Sequence, residues 1–302
     1  MPRLTRPLPL LAVLALGSAS RAQTPSPVSP YLQTIAEWRG QREQRLRSDG
    51  GWLTVVGLFW LHEGGNTFGS GPDNEIRLPG RTPVWAGTIE FRGGKATYLL
   101  APGVAATVNG GVAPEEGRLQ IDADGAPTVL ALGTVSFHVI KRGERYGVRV
   151  KDSESDALKH FMGLEWYDAS EAWRVTARFV PHDKPQTIGI TNVLGQVEQL
   201  PSPGYAEFTL GGRKLRLDPV IEAPGDTQLF YIFRDKTSGH GTYGAGRFLY
   251  SAMPEDGTVV LDFNKAYSPP CAFTRFATCP LPPDRNRLDV AIEAGERFRG
   301  SH

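Results

Sequence analysis

Thr128-Val129-Leu130-Ala131-Leu132-Gly133-Thr134-Val135-Ser136-Phe137-His138-Val139-Ile140-Lys141-Arg142-Gly143-Glu144-Arg145-Tyr146-Gly147-Val148-Arg149-Val150 holds three β-prone runs in quick succession. They are Thr128–Leu132, Val135–Ile140 and Tyr146–Val150, with glycine between them. Upstream the same texture repeats in Thr67-Phe68, Glu75–Leu78, Thr88–Phe91, Ala96–Leu100, Ala106–Val108 and Arg118–Ile121. Turns rich in Gly, Asn and Asp separate these runs. Dense, short, alternating runs of this kind predict a β sandwich or barrel over residues 51–152. The whole chain carries 35 Gly and 24 Pro in 302 residues, a turn content that favours short strands over long helices.

Residues 153–302 read as a second antiparallel β domain. A short helix or turn opens it within Asp156–Trp166. Strands are expected at Trp173–Phe179, Thr187–Thr191, Val193–Gln199, Tyr205–Leu210, Arg213–Leu217, Leu229–Phe233, Arg247–Tyr250 and Thr258–Phe263. Gly211-Gly212 and Asp256-Gly257 are hairpin signals. The Pro181-His182-Asp183-Lys184 stretch reads as a break between strands. The fold class is therefore mainly β, preceded by one helix.

That helix is predicted over 30–48. Ser29 is the expected cap, Pro30 the first helical residue, and Gly50-Gly51 the stop. Tyr31, Ile35, Trp38 and Leu46 mark an apolar stripe. Arg39, Arg42, Arg45 and Arg47 lie around it and read as a solvated face, since Glu37 and Glu43 interrupt the charge.

Residues 1–22 read as a secretory signal peptide. Arg3 and Arg6 precede an apolar run from Leu8 to Leu16, and Ser20-Arg21-Ala22 fits the small-x-small cleavage pattern. The apolar run is about half the ~20 residues needed to span a bilayer. Residues 23–50 are a linker followed by the helix. An exported protein, periplasmic or secreted, is expected, with no transmembrane segment in the mature chain. Cleavage removes three arginines and no acids, so the mature chain carries 30 basic and 32 acidic side chains. Nothing in this balance calls for a nucleic-acid partner.

Asn66-Thr67-Phe68-Gly69-Ser70-Gly71-Pro72-Asp73-Asn74-Glu75-Ile76-Arg77-Leu78-Pro79 resembles the opening motif of forkhead-associated (FHA) domains, and Thr107-Val108-Asn109-Gly110 resembles their later turn. The resemblance implies an FHA-like β sandwich of about eleven strands. FHA domains that bind phosphothreonine place an Arg after the first motif Gly, where this chain has Ser70. They also place a Ser and a His before the next strand, and Pro83–Thr88 holds neither. The resemblance thus implies the sandwich without its phosphate chemistry, leaving a structural or docking role.

Trp52–Leu61, Gly241–Tyr250, Val260–Phe273, Ala277–Pro283 and Ile292–Glu296 together resemble the DUF1684 family of uncharacterised, mostly bacterial proteins. Ser268 stands where that family usually has Asn. The resemblance implies domain limits and no established activity.

The candidate site residues lie in the last third. His240, Tyr243, Arg247, Asp262, Asn264 and Tyr267 are the ligand-binding candidates. Asp262 and Asn264 share a strand face. A carboxylate, an amide, a phenol and a guanidinium together suit a small polar, carbohydrate-like or peptide ligand. Their bland alternative is an internal network in which Arg247 pairs with Asp262 and Asn264 caps a turn. A hydrolase needs Asp262 or Glu293 as acid–base with His240 assisting, and a third reading is an envelope-assembly or other protein-interaction module.

Cys271 and Cys279 are the only cysteines. In an exported protein the first reading is a disulfide closing a Pro-rich loop. If they are reduced, Cys271 is a nucleophile candidate. No tight His pair, zinc protease motif, phosphate loop or dinucleotide motif occurs, so no metal or cofactor is expected.

Overall fold

The structure, a computed structural model, describes Met1 and residues 29–300. The expected leader and most of the linker lie outside the described residues. Helix α1 (Pro30–Arg47) opens at Pro30 as expected. Ser29 does not cap it, because its hydroxyl donates instead to Glu171 Oε1 at 2.8 Å. Ile35 and Leu46 are buried, and so is Arg42. The basic face is therefore not wholly solvated.

Eleven strands follow: β1 (Val55–Trp60), β2 (Gly64–Gly69), β3 (Ile76–Arg77), β4 (Gly87–Arg92), β5 (Lys95–Leu100), β6 (Thr107–Val108), β7 (Gly111–Val112), β8 (Glu116–Leu119), β9 (Leu130–Leu132), β10 (Val135–Arg142) and β11 (Arg145–Asp152). One sheet runs β1-β11-β10-β9-β6-β7 and the other β3-β2-β4-β5-β8. Alternation explains the sandwich. Ile89 and Phe91 point into the core while Glu90 and Arg92 face out, and Phe137, Val139, Val148 and Val150 fill it from the other sheet. Phe68 meets Phe137 across the layers with ring centroids 5.3 Å apart. The eleven-strand, FHA-like expectation is met. Asn109 and Gly110 both adopt positive φ, which the β6–β7 turn requires.

The second half begins with α2 (Asp156–Lys159) and β12 (Glu165–Trp166). It continues through β13 (Arg174–Thr191), β14 (Val197–Leu210), β15 (Arg213–Leu217), β16 (Gln228–Phe233), β17 (Arg247–Ala252), β18 (Thr258–Asp262) and β19 (Glu296–Arg297). The main sheet is β15-β14-β13-β18, with β16-β17 as a separate hairpin. The expected break at Pro181–Lys184 is not one. β13 runs through it, and its pairing with β14 shifts register between Pro181 and Gln186. The bulge takes up residues that cannot serve the ladder. β14 likewise continues through Pro201 and Pro203.

The β16–β17 hairpin is buried on both faces. Leu229, Tyr231, Phe233 and Leu249 enter the main core of this half. Phe230, Ile232 and Phe248 enter a smaller core with Ala277 and Cys279, against which Trp52 packs. Polar bonds join the two halves beside that smaller core. Arg142 Nε donates to Thr278 Oγ1 at 3.2 Å, and Gln196 Nε2 donates to the Arg142 carbonyl at 2.8 Å. No helix among the described residues is long and apolar enough to cross a membrane.

Candidate functional site

The six sequence candidates divide in three ways. Arg247 and Asn264 are enclosed. Arg247 is 1% exposed and pairs with Asp235 Oδ2 at 2.5 Å, while its other donors meet the carbonyls of Ala294 and Ile292. Its partner is thus Asp235, not the expected Asp262. Burial lowers the guanidinium pKa and the Asp235 charge opposes this. Asn264 Nδ2 donates to the Tyr31 hydroxyl and to the Ser170 carbonyl, both at 2.8 Å, and its Oδ1 accepts from the Ser170 amide at 3.0 Å. Both terminal nitrogens of Arg247 and both side-chain polar atoms of Asn264 are engaged within the fold, which is the internal-network reading.

His240 and Tyr243 lie elsewhere. His240 is exposed in the loop between β16 and β17, next to Gly239 with positive φ. Tyr243 donates to the Cys271 carbonyl at 3.1 Å and packs edge-on against Phe298. Glu293 is exposed. The hydrolase residues do not meet in the cavity that Asp262 borders, since neither His240 nor Glu293 lines it.

Asp262 and Tyr267 do come together. They line one cavity of about 490 Å³ where α1 lies against β17 and β18. Asp262 ends β18 and accepts from the Tyr31 hydroxyl at 2.8 Å and from the Asn264 amide at 3.2 Å, both through Oδ1. Tyr267 stacks on Tyr250, centroids 6.5 Å apart and planes 12° apart, with Trp38 on another side at 6.2 Å. The Arg42 guanidinium lies 4.5 Å from the Tyr267 centroid. Burial pushes the Tyr267 phenol up to about 12, and Arg42 opposes the shift.

Arg45, Arg174 and Lys265 complete the wall. Arg174 is the backbone partner of Asp262 in the β13–β18 ladder. Arg42 is committed to Glu296, with Nε to Oε2 at 3.3 Å, whereas Arg45, Arg174 and Lys265 form no ion pair within 4 Å among the described residues. The cavity therefore offers one carboxylate, three uncommitted cations and the rings of Trp38, Tyr250 and Tyr267. Such a set can bind hydroxyls and an acidic group and lay a sugar-like face on an aromatic one. Sequence reading missed the arginines from α1 and β13, because they reach the site only once a helix at one end of the chain packs on strands at the other.

The expected disulfide is not formed. Cys271 and Cys279 are free thiols, and the Cys271 amide donates to Cys279 Sγ at 3.0 Å. The sulfur is used as a hydrogen-bond acceptor where a bond had been expected. Among the described residues no group of three or more His, Cys, Asp or Glu is arranged to hold a metal. In the sandwich Ser70 Oγ donates to the Thr82 carbonyl at 2.8 Å, so the position of the FHA arginine is spent on an internal bond.

The family pattern described as "Protein of unknown function (DUF1684)" matches residues 159–297. An uncharacterised protein of Haloarcula marismortui, solved in solution by NMR, is 33% identical over 48% of this chain and 80% of its own, with a TM-score of 0.41. The FHA domain of FhaA, solved in complex with the intracellular domain of another protein, is 24% identical over 31% of this chain and 97% of its own, with a TM-score of 0.22. A chain described under phosphothreonine-dependent FHA domain interactions is 25% identical over 32% of this chain and 96% of its own, also with a TM-score of 0.22. No curated protein matches the chain.

Proposed function

We propose that this chain, which belongs to the DUF1684 family of proteins of unknown function, binds a small, hydroxylated, acidic ligand such as a sugar acid. One observation carries this reading. Asp262 and Tyr267, chosen from sequence, border the same cavity as the uncommitted cations Arg45, Arg174 and Lys265. Asp262 would accept from hydroxyls and the cations would take the acidic group. Trp38 offers the flat apolar surface that a sugar ring needs. Binding is favoured over hydrolysis because the expected acid–base partner His240 does not line this cavity.

The test is thermal unfolding with glucuronate and glucose as probes. At about 100 times its dissociation constant a ligand stabilises by roughly 2.7 kcal/mol, several degrees in melting temperature. Glucuronate is expected to give that shift and glucose a smaller one. The double variant Arg45→Ala/Arg174→Ala changes two exposed side chains and is expected to melt unliganded like the wild type while losing the glucuronate shift. An unmoved wild type, or a shift kept in the variant, sinks the reading.

A second reading, a docking role for the sandwich, rests on Val84 and Trp85, which are 72% and 52% exposed on the loop before β4. A partner with an apolar face would fit there. Crosslinking from position 85 is expected to trap one discrete partner if the reading holds. We also place the protein outside the cytoplasm, on the leader read in residues 1–22. The exported form is expected to begin near Gln23, and N-terminal sequencing checks this.

A further inference from the structure

Strand β11 places a cation where a sandwich would ordinarily place a solvated residue. Val148 and Val150 face the sandwich core, so Arg149 points to the opposite side of the sheet. That side is covered by Trp52 and by the second half of the chain. Arg149 is only 5% exposed, and its guanidinium carbon lies 5.0 Å from the Trp52 ring centroid.

Nε and Nη2 of Arg149 are buried and have no hydrogen-bond partner. No acid lies within ion-pair distance of it among the described residues. Nε and Nη2 form one edge of the guanidinium, the edge that grips a carboxylate or phosphate side-on. A buried cation with unmet donors is costly unless something answers it. Burial, reinforced by Arg142, lowers its pKa to about 10.

Arg149 borders a cavity of about 650 Å³ between the sandwich and the second half. The other charges on this wall do not cancel it. Arg142 is already bound to Asp122 Oδ2 at 2.7 Å. Glu222 accepts from the Tyr250 hydroxyl, and Glu198 is exposed. Trp52, Ile190, Phe230 and Phe248 give the same cavity an apolar surface.

We propose that Arg149 anchors a second binding site, separate from the cavity at Asp262, for a small organic anion. The carboxylate or phosphate head meets the guanidinium and an apolar body lies along Trp52, Phe230 and Phe248. The ligand supplies the partner that the fold itself withholds. This assignment is independent of the sugar-acid reading, because the two cavities share none of the residues that carry the argument.

The test uses full-length protein with benzoate, phenyl phosphate and benzyl alcohol as probes, at ionic strength matched with sodium chloride. Benzoate or phenyl phosphate is expected to raise the melting temperature, and whichever is stronger identifies the head group. Benzyl alcohol, which has the body without the charge, is expected not to. Arg149→Met is expected to weaken binding about tenfold or more and to leave the unliganded protein as stable as wild type or more so, since an unanswered buried charge is removed. Arg45→Ala/Arg174→Ala is expected to bind the probe like wild type. No shift beyond the salt control, a shift retained in Arg149→Met, or an equal shift with benzyl alcohol each overturns the proposal. Should Arg149→Met not fold, the Nε–H resonance of Arg149 in the wild type decides. It is expected to move on adding benzoate, and a stationary resonance also overturns the proposal.

Discussion

The Tyr31 hydroxyl, in the first turn of α1, donates a 2.8 Å hydrogen bond to Asp262 Oδ1 across 231 positions of sequence. It also accepts from Asn264 Nδ2 at 2.8 Å. One phenol therefore ties the opening helix to the end of β18, beside the cavity that Asp262 borders. Burial first, and the Asp262 contact second, raise the pKa of this phenol. Tyr31→Phe leaves Asn264 short of one partner and Asp262 short of a donor. The expected loss is about 1–3 kcal/mol, read from the midpoint of urea unfolding. A change below a few tenths would show that the helix is held by packing alone.

Arg247 and Asp235 make the contrasting case, because their side chains are 1% and 0% exposed. Asp235 also accepts from the amide of Thr237 at 2.8 Å and from its hydroxyl at 2.5 Å. Removing only the cation strands a buried carboxylate. Arg247→Met is expected to cost about 3–5 kcal/mol, with Asp235→Asn in the same chain recovering part of it. Calorimetry of the single and double variants checks this. A mild single variant with impaired ligand shifts would restore Arg247 as a site residue.

His138 sits opposite Arg149 in the β10–β11 ladder. Burial, then Lys151 and Arg149, lower its pKa from 6.5 to about 4. Between those values the unfolded chain binds the proton and the folded chain does not. Stability is therefore expected to rise with pH through this window and to fall on acidification from pH 6.5 toward 4. The full effect is about 3 kcal/mol. His138→Gln is expected to flatten that part of the stability profile. An unchanged slope would place the effect on other groups.

The sandwich was legible because each of its strands alternates within a short run, and alternation is a local property. Phe137 and Val139 announce their face without help from any other segment. The long β13 was not legible. Pro181 and Pro185 remove ladder donors, and a local rule ends the strand there, while the bulge opposite Ser202 and Gly204 lets it continue. Arg42 misled for a different reason. It sits in a charged helix stripe that reads as solvated, yet Glu296, 254 positions away, buries with it. Of the site, Asp262 and Tyr267 were visible as unusual polar residues near strand ends. Arg149 was not, because nothing local says that the outer face of β11 is covered.

The two thiols give a last prediction. The hydrogen bond from Cys279 lowers the Cys271 pKa, burial opposes this, and Arg149 adds a smaller favourable contribution. Cys279 moves the opposite way, raised by its bond to Cys271 and by burial. In the reduced protein Cys271 is thus expected to alkylate first, at a pH below the ordinary thiol value of about 8.5. Cys279→Ala removes the principal cause and is expected to move the Cys271 pH–rate profile upward. Arg149→Met is expected to move it upward by less. Iodoacetamide labelling followed by peptide mass mapping across pH checks the order. Faster labelling of Cys279, or a profile unaffected by Cys279→Ala, would mean that the pair does not share its proton in this way.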